Sequence, residues 1–409
     1  MTETCDFRPD FPTNVAEEGK VRLVVPKLEA FIKSPSEYAP SKAPVFYNPI
    51  MELNRDIAVL ALQAYQRTIG HDLTVCEPLA GCGVMGIRFA AEVEGVRNVV
   101  MGDINENASR LAELNIHMNN LGENVSIHNE EANFLLSQHS APHKRFDVVN
   151  IDPFGSPVPY LDSAIRALRN NGLLAVTATD MAPLCGVHPK ACLRKYGGRP
   201  LRTEYCHELA VRLLVGCLAA TAARHDIGIN VLFSHSTDHY ARVYATICYG
   251  AKKADESIGR MGYVLHCFNC LHRETTKRIF LVESEGICCE CGAKMTVAGP
   301  LWLDMLADKA FCDALEKETE QKLLKRGERI GKILALVRSE IGAQTTYYVV
   351  DELCHKLGSP VPSVKKVAKA LEDAGFEACF THFDPLGVRT DASASKMKEI
   401  LRGILSTNG

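Results

Sequence analysis

No run of about 20 apolar residues, the length a helix needs to cross a bilayer, occurs in this chain, so no membrane span is expected. The opening MTETCDFRPD carries acidic residues and lacks an apolar stretch, so a secretory signal is not expected either. Neither sign of charge dominates: 46 Lys and Arg stand against 49 Asp and Glu. The formal net charge is −3, so the molecule is no polycation, and any nucleic-acid binding has to come from local basic patches. Low-complexity stretches are few, and 46% of the residues are hydrophobic, which is a globular composition. The 16 cysteines are scattered along the chain rather than grouped as a disulfide framework. Free buried thiols and a cytoplasmic location are the expectation, with four cysteines needing a separate account.

The 409 residues suffice for two or three domains. VRLVVP at 21–26 reads as a short strand. Residues 48–70 read as a helix, with Asn48 as cap and Pro49 at its first position. Met51, Ile57, Leu60, Ala61 and Tyr65 keep roughly to one face. Strands are expected at 73–77, 96–101, 124–128, 146–151 and 172–177, and helices at 84–94, 105–120, 130–137 and 159–170. The alternation predicts an α/β domain with a mostly parallel sheet, whose ligands belong at the carboxyl ends of the strands.

Leu79-Ala80-Gly81-Cys82-Gly83 stands at one such end. Gly81 and Gly83 let a ligand approach the backbone, although the stretch lacks the full dinucleotide fingerprint. Asp103 ends the next strand, where a carboxylate can accept both ribose hydroxyls of an adenosine. Glu131, Ala132 and Asn133 follow a third strand, within reach of an adenine. The plainer reading is a tight turn, with Asp103 capping a helix. A dinucleotide would set its pyrophosphate over the helix terminus. Glu77 would oppose that, but would suit the sulfonium or ammonium side of S-adenosylmethionine.

NIDPFGSPVPY at 150–160 holds one glycine and three prolines beside an aspartate and a ring. A turn needs fewer breakers. Either the segment is an unusually fixed connection, with Asp152 capping the next helix and Phe154 in the core, or it presents Asp152 and Phe154 to something flat and polar.

Longer stretches carry a resemblance. FYNPIMELNRDIAV (46–59), EPLAGCGVMGIR (77–88), GDINENA (102–108) and NIDPFGSPVPYLDSAIRALRNNGLLAVTATDMAPLCG (150–186) resemble the class I, S-adenosylmethionine-dependent tRNA guanine-26 N2-dimethyltransferases of archaea and eukaryotes. RTEYCHELAVRLL (202–214), paired CxxC motifs, GPLW (299–302) and THFDPLGVRTDA (381–392) extend it over nearly the whole chain. The resemblance implies a Rossmann-like class I methyltransferase domain with a family-specific α+β C-terminal domain that helps hold tRNA. The expected boundary puts the N-terminal extension and methyltransferase domain at 1–254 and the tRNA-binding domain at 255–409. It also implies that Asp103 binds ribose, that Arg55 of NRD belongs to the cofactor pocket, and that Asp152, Pro153 and Phe154 are catalytic. Cys76-Glu77-Pro78 departs from the wider methyltransferase pattern, in which many members carry an aspartate earlier.

The chemistry suits those residues. The guanine N2 lone pair is delocalised into the ring and is a poor nucleophile. Asp152 and the Pro153 carbonyl can accept hydrogen bonds from the amine, and Phe154 can stack on the purine. Transfer would be direct, with one or two methyl groups added, after the guanine is extruded from folded tRNA. Such a transfer needs no histidine, so His207 and His235 stay outside the catalytic group.

Arg194, Lys195, Arg199 and Arg202 lie in a basic loop before a long helix and offer phosphate contacts, or else a solvated face. Residues 229–250 read as two strands around a polar turn. Cys267-x2-Cys270 and Cys288-x2-Cys291 have the spacing of a closed, structural zinc site; Cys289 competes with Cys288. The last 100 or so residues read as helices followed by a hairpin, in a winged-helix-like order. Lys365, Lys366 and Lys369 crowd the start of one helix, as phosphate contacts or as a solvated face. A monomer is compatible with all of this. The alternatives are an amino-methyltransferase for another RNA guanine or DNA adenine, and a non-catalytic RNA-binding protein that keeps the cofactor fold.

Overall fold

The computed structural model describes residues 7–32, 40–277, 286–322 and 324–406. It divides into two compact units. The first holds 1–153, 159–176 and 313–331; the second holds 154–158, 177–312 and 332–409.

The first unit opens with an antiparallel hairpin, β1 (Thr13–Glu18) and β2 (Val21–Pro26). Then come α1 (Glu52–Ile69), β3 (Leu73–Glu77), α2 (Val84–Glu92), β4 (Val96–Gly102), α3 (Glu106–Met118), β5 (Val125–His128), α4 (Ala132–Gln138), β6 (Phe146–Ile151), α5 (Val158–Arg166) and β7 (Leu168–Ala178). Its strands pair in parallel in the order β5-β4-β3-β6-β7. This is the Rossmann-like α/β core expected from the sequence.

Strands β3 and β6 read as apolar runs because both faces are covered. All six residues of β6 are buried. Its one charged member, Asp147, accepts from Thr74 N (2.8 Å) and Thr74 Oγ1 (2.7 Å) and pairs with Arg169 Nη1 (2.8 Å). Chain order reverses between β3 and β6. That switch point opens a crevice at the carboxyl ends of the two strands, where Glu77 and Asp152 stand.

In the second unit, α6 (Met181–Leu184), α7 (Pro189–Tyr196) and α8 (Cys206–Ala223) precede the antiparallel pair β8 (Ile227–Thr237) and β9 (Tyr240–Tyr249). Helix α9 (Ala251–Ile258) leads to β10 (Met261–His266), β11 (Arg273–Thr276) and β12 (Thr296–Trp302), which form a sheet in the order β11-β10-β12. Helices α10 (Lys309–Gln321) and α11 (Gly327–Ser339) follow, and their stretch 313–331 belongs to the first unit. The last part is β13 (Tyr348–Val349), α12 (Val350–Leu357), α13 (Val364–Asp373), β14 (Ala378–Phe380), β15 (Gly387–Thr390) and α14 (Ala394–Ser406). Its core joins Val350, Leu353, Val367, Leu371, Val388, Met397 and Leu401. Helices α12 and α13 followed by the β14–β15 pair give the expected helix–turn–helix–hairpin order.

Helix α8 is apolar enough by composition to cross a membrane, but 72% of it is buried inside the protein. It also carries a buried ion pair, Glu208 Oε1 to Arg212 Nε at 2.8 Å. Part of the segment expected between the two CxxC pairs, 278–285, lies outside the described residues.

Candidate active site

In the first unit, the turn after β3 brings the backbone to the crevice. Gly81 and Gly83 have φ of +55° and +81°. A Cβ on Gly83 would press on Ala112, Ile87 and Met101 at 3.1–3.3 Å. The sequence places glycine there because a side chain would be both strained and crowded. Asp103 faces the same turn. Its Oδ2 accepts from Gly81 N (2.8 Å) and its Oδ1 from Asn105 N (2.9 Å). Asn105, not Asp103, caps α3 by accepting from Asn107 N at 3.0 Å. The carboxylate is thus held in place by two amides, and each oxygen keeps acceptor capacity for a hydroxyl.

Glu77 is buried, and its Oε2 accepts from Gly86 N at 2.6 Å in the first turn of α2. Glu131 is exposed and caps α4, accepting from Phe134 N (2.9 Å) and Asn133 Nδ2 (3.0 Å). Ala132 beside it is buried. Two apolar side chains near these groups are unusually open: Ile104, just after Asp103, is 72% exposed, and Phe134 is 59% exposed.

Arg55 lies in a buried ion network. Its Nε and Nη2 donate to Glu18 at 2.5 and 2.6 Å, and Nη2 also reaches the Asn48 carbonyl at 3.1 Å. Arg88 joins Glu18 (3.0 Å), Asp56 (2.7 Å) and Glu92 (2.7 Å). Burial pushes the Glu18 carboxyl up, but Arg55 and Arg88 outweigh it and hold it below the usual range. Asn115, fully buried, fastens the β1–β2 hairpin to this unit: it accepts from Val24 N (2.7 Å) and donates to Val24 O (3.0 Å) and Cys82 O (2.9 Å).

Asp152 follows β6 and is half-buried. Asn54 of α1, fully buried, donates from Nδ2 to Asp152 Oδ2 at 3.5 Å. Among the described residues, the buried Asn54 Oδ1 has no hydrogen-bond partner. A buried polar atom left open beside a carboxylate suits an incoming N–H or O–H donor. Pro153 is buried.

The chain enters the second unit at Phe154, which is 61% exposed, so it is no core ring. The loop behind it is pinned. Gly155 N donates to Thr179 Oγ1 (2.7 Å), and Thr179 N returns a bond to Gly155 O (2.9 Å). Ser156 Oγ donates to Tyr196 Oη at 3.0 Å. Tyr196 in turn donates to Asp180, which also pairs with Lys195 Nζ at 3.0 Å. Asp180 therefore anchors α7. Arg194, Arg199 and Arg202 are exposed, as are Lys365, Lys366 and Lys369 on α13.

The four expected thiols converge. Cys267 and Cys291 Sγ are 3.5 Å apart, as are Cys270 and Cys288, and all four lie within 4.8 Å of one another. Each pair sits on a knuckle: Leu271 N bonds Cys267 O and Gly292 N bonds Cys288 O, with Gly292 at φ +70°. Hydrogen bonds, first from Asn269, lower the Cys291 thiol to about 6. Cys289 points elsewhere, its sulfur 3.5 Å from His272 Nε2. Four sulfurs at this spacing fit a tetrahedral zinc ion.

Sequence reading missed Asn54, Ile104, Phe134 and Tyr196. Its place beside Arg55 in NRD was the one available signal for Asn54.

Taken together, a Rossmann-like sheet, a ribose-type carboxylate at the end of β4 and a carboxylate at the end of β6 define a class I methyltransferase architecture. The chain belongs to the N2,N2-dimethylguanosine tRNA methyltransferase family, whose model it matches over residues 19–402. It is 43% identical over 388 residues to the tRNA (guanine(26)-N(2))-dimethyltransferase of Methanothermobacter thermautotrophicus, covering 95% of this chain and 98% of the relative. It is 35% identical to the tRNA (guanine(26)-N(2)/guanine(27)-N(2))-dimethyltransferase of Aquifex aeolicus, covering 94% and 96%. Among solved structures, Trm1 from Pyrococcus horikoshii with S-adenosyl-L-methionine matches with a TM-score of 0.82 at 33% identity, covering 95% and 99%.

Proposed function

We propose that this chain dimethylates the exocyclic N2 of guanine 26 in tRNA, using S-adenosylmethionine. The observation that carries the reading is the DPF turn: Asp152, 3.5 Å from a buried amide, is followed two residues later by an exposed Phe154. When bound, S-adenosylmethionine supplies a methyl group on a positively charged sulfur.

Asp103 accepts the ribose hydroxyls, with its orientation already set by Gly81 and Asn105. Ile104 and Phe134 flank the adenine. Glu77 contributes negative potential near the Gly81–Gly83 turn. Arg55 acts through Glu18, fixing the start of α1 and so the position of Asn54. Glu131 and Ala132 shape the adenine end through α4.

At the acceptor, Phe154 stacks on the extruded guanine and fixes its plane. The Asp152 carboxylate accepts an N2–H hydrogen bond, directs the amine and offsets the charge that develops on nitrogen. It then takes the departing proton on an Oδ. Once that proton has passed to solvent, an N–H still remains on the monomethylated amine, so the Asp152 carboxylate can repeat the task. After two transfers none remains, and the hydrogen bond that holds the amine is lost. Dimethylguanine is thus the natural end point.

Remote contacts align the tRNA. Arg194, Lys195, Arg199 and Arg202 and the α13 lysines 365, 366 and 369 are assigned to phosphates. This assigns donor and amine chemistry to 1–254 and tRNA holding to 255–409, with 194–202 as an additional basic patch. Cys267, Cys270, Cys288 and Cys291 are assigned to one structural zinc. The setting is taken as cytoplasmic.

The test is methylation of unmodified tRNA with labelled S-adenosylmethionine, followed by mapping of nucleoside and position. N2,N2-dimethylguanosine at 26 supports the reading. Label at another base, or none, removes it.

A further inference from the structure

Two thiols outside the 267–291 group stand apart from the remaining cysteines. Cys185 follows α6 and is buried; Cys206 opens α8 and is half-buried. Their sulfurs and a ring nitrogen of the exposed His207 all lie within 4.8 Å of one another. Each thiol perturbs the other, raising Cys185 and lowering Cys206. Methyl transfer uses none of the three side chains.

The spacing suits a metal. Zinc binds sulfur at about 2.3 Å and imidazole at about 2.0–2.1 Å, so tetrahedral ligand atoms lie about 3.5–3.8 Å apart. The group is therefore within about 1 Å of a ligand cage. Two thiolates and an imidazole are soft and borderline donors, which exclude magnesium and calcium in favour of zinc-type ions. Asp384 is close enough to His207 to act on it electrostatically. A carboxylate near a ligating histidine is a recurrent orienting partner.

A second, independent observation concerns what the three residues enclose. Ligands at 185 and at 206–207 bracket residues 186–205. That segment carries Lys190, Arg194, Lys195, Arg199 and Arg202. Its ends already meet: Gly186 has φ +86°, and a Cβ there would sit 2.7 Å from Arg202 N and 2.8 Å from the Leu201 carbonyl carbon.

We propose that Cys185, Cys206 and His207 bind a thiophilic divalent cation of the zinc type, which closes the basic segment 186–205 at its two ends. Binding replaces the two thiol protons, which leave to solvent, and involves no redox change. Three protein ligands leave one position to water, so this ion exchanges more readily than one held by four thiolates. Fixing the ends lowers the entropy cost of holding the segment's basic side chains in one arrangement. That consequence for RNA, though not the metal site itself, rests on the tRNA reading.

The test uses the full-length chain, reduced and stripped of metal. It is titrated with Zn2+ and the bound ions are counted by native mass spectrometry. The wild type should bind two ions. Cys185→Ser/Cys206→Ser should bind one, and so should Cys267→Ser/Cys288→Ser, each losing a different ion. His207→Asn keeps both thiols and should weaken the second ion by about tenfold or more. In the wild type itself, the second equivalent should protect Cys206 from alkylation and slow tryptic cleavage within 186–205. A single ion lost with the 185/206 pair upholds this site and removes the four-thiolate one. The proposal is overturned if the wild type binds one ion that is lost only with the 267/288 pair. It is overturned equally if the second ion survives in Cys185→Ser/Cys206→Ser, or if Cys185 and Cys206 are recovered as a disulfide with a single ion bound.

Discussion

The Nδ2 of buried Asn54 donates to Asp152 Oδ2 at 3.5 Å, and the Oδ1 of the same amide has no partner among the described residues. The amide thus touches the proposed reacting carboxylate on one side and offers a buried acceptor on the other. Asn54→Ala should slow methyl transfer about tenfold while leaving tRNA affinity close to wild type. Single-turnover rates and tRNA binding, measured on the same preparation, check this. A rate equal to wild type would make the contact structural only.

Asp103 should act before the chemical step. Its carboxylate is fixed by two backbone amides and keeps acceptor capacity toward the crevice. Asp103→Ala should raise the S-adenosylmethionine dissociation constant by about 10–100-fold. Calorimetric titration in the absence of tRNA reads this directly. Unchanged affinity would refute the ribose assignment.

Glu18 gives a pH signature. Its carboxyl is held below its ordinary value in the folded state. A depressed carboxylate stabilises the fold above its unfolded-state pKa, and the contribution is lost as pH falls through the lowered folded-state range. Glu18→Gln also leaves two buried arginines short of a partner, which should cost about 3–5 kcal/mol near neutral pH. Urea unfolding from pH 7 down to about 3 should show the gap between wild type and variant narrowing in acid. A gap that stays constant would mean that the charge pairing contributes nothing.

The α13 lysines should act at a distance from the donor. Lys365, Lys366 and Lys369 changed together to alanine should weaken tRNA binding and flatten its salt dependence, the log–log slope falling by about one for each phosphate left without its lysine. Affinity for free S-adenosylmethionine should not change. Wild-type tRNA affinity across a salt series would mark the three as a solvated face.

Much of the fold was legible because burial is written into the parallel strands. Residues 73–77 and 146–151 are strands with the expected bounds and are almost continuously buried; 21–26 is a strand with the expected bounds too, but antiparallel and with Arg22 exposed. Strand β1 was missed because Thr13–Glu18 is largely polar and half of it is exposed, and its pairing with β2 is a tertiary fact. Strand β7 starts at Leu168, four residues early, since RNNG reads as a turn; Asn171 there has φ +64°. One apolar face was expected for α1, but the helix is buried on all sides from Leu53 to Tyr65. Its polar residues from Asn54 to Gln63 are therefore buried, which periodicity cannot reveal. At the candidate site, Asp152 and Phe154 were legible from the concentration of turn-forming residues around them. Asn54, about 100 residues away in the chain, was not, because only the fold brings it to Asp152.

The most direct measurement is single-turnover methylation of unmodified tRNA by Asp152→Ala, with S-adenosylmethionine affinity determined alongside. If the Asp152 carboxylate directs the amine and takes its proton, the rate should fall about 10²-fold or more. The dissociation constant for S-adenosylmethionine should stay close to wild type. A wild-type rate of N2 methylation in Asp152→Ala would contradict the account.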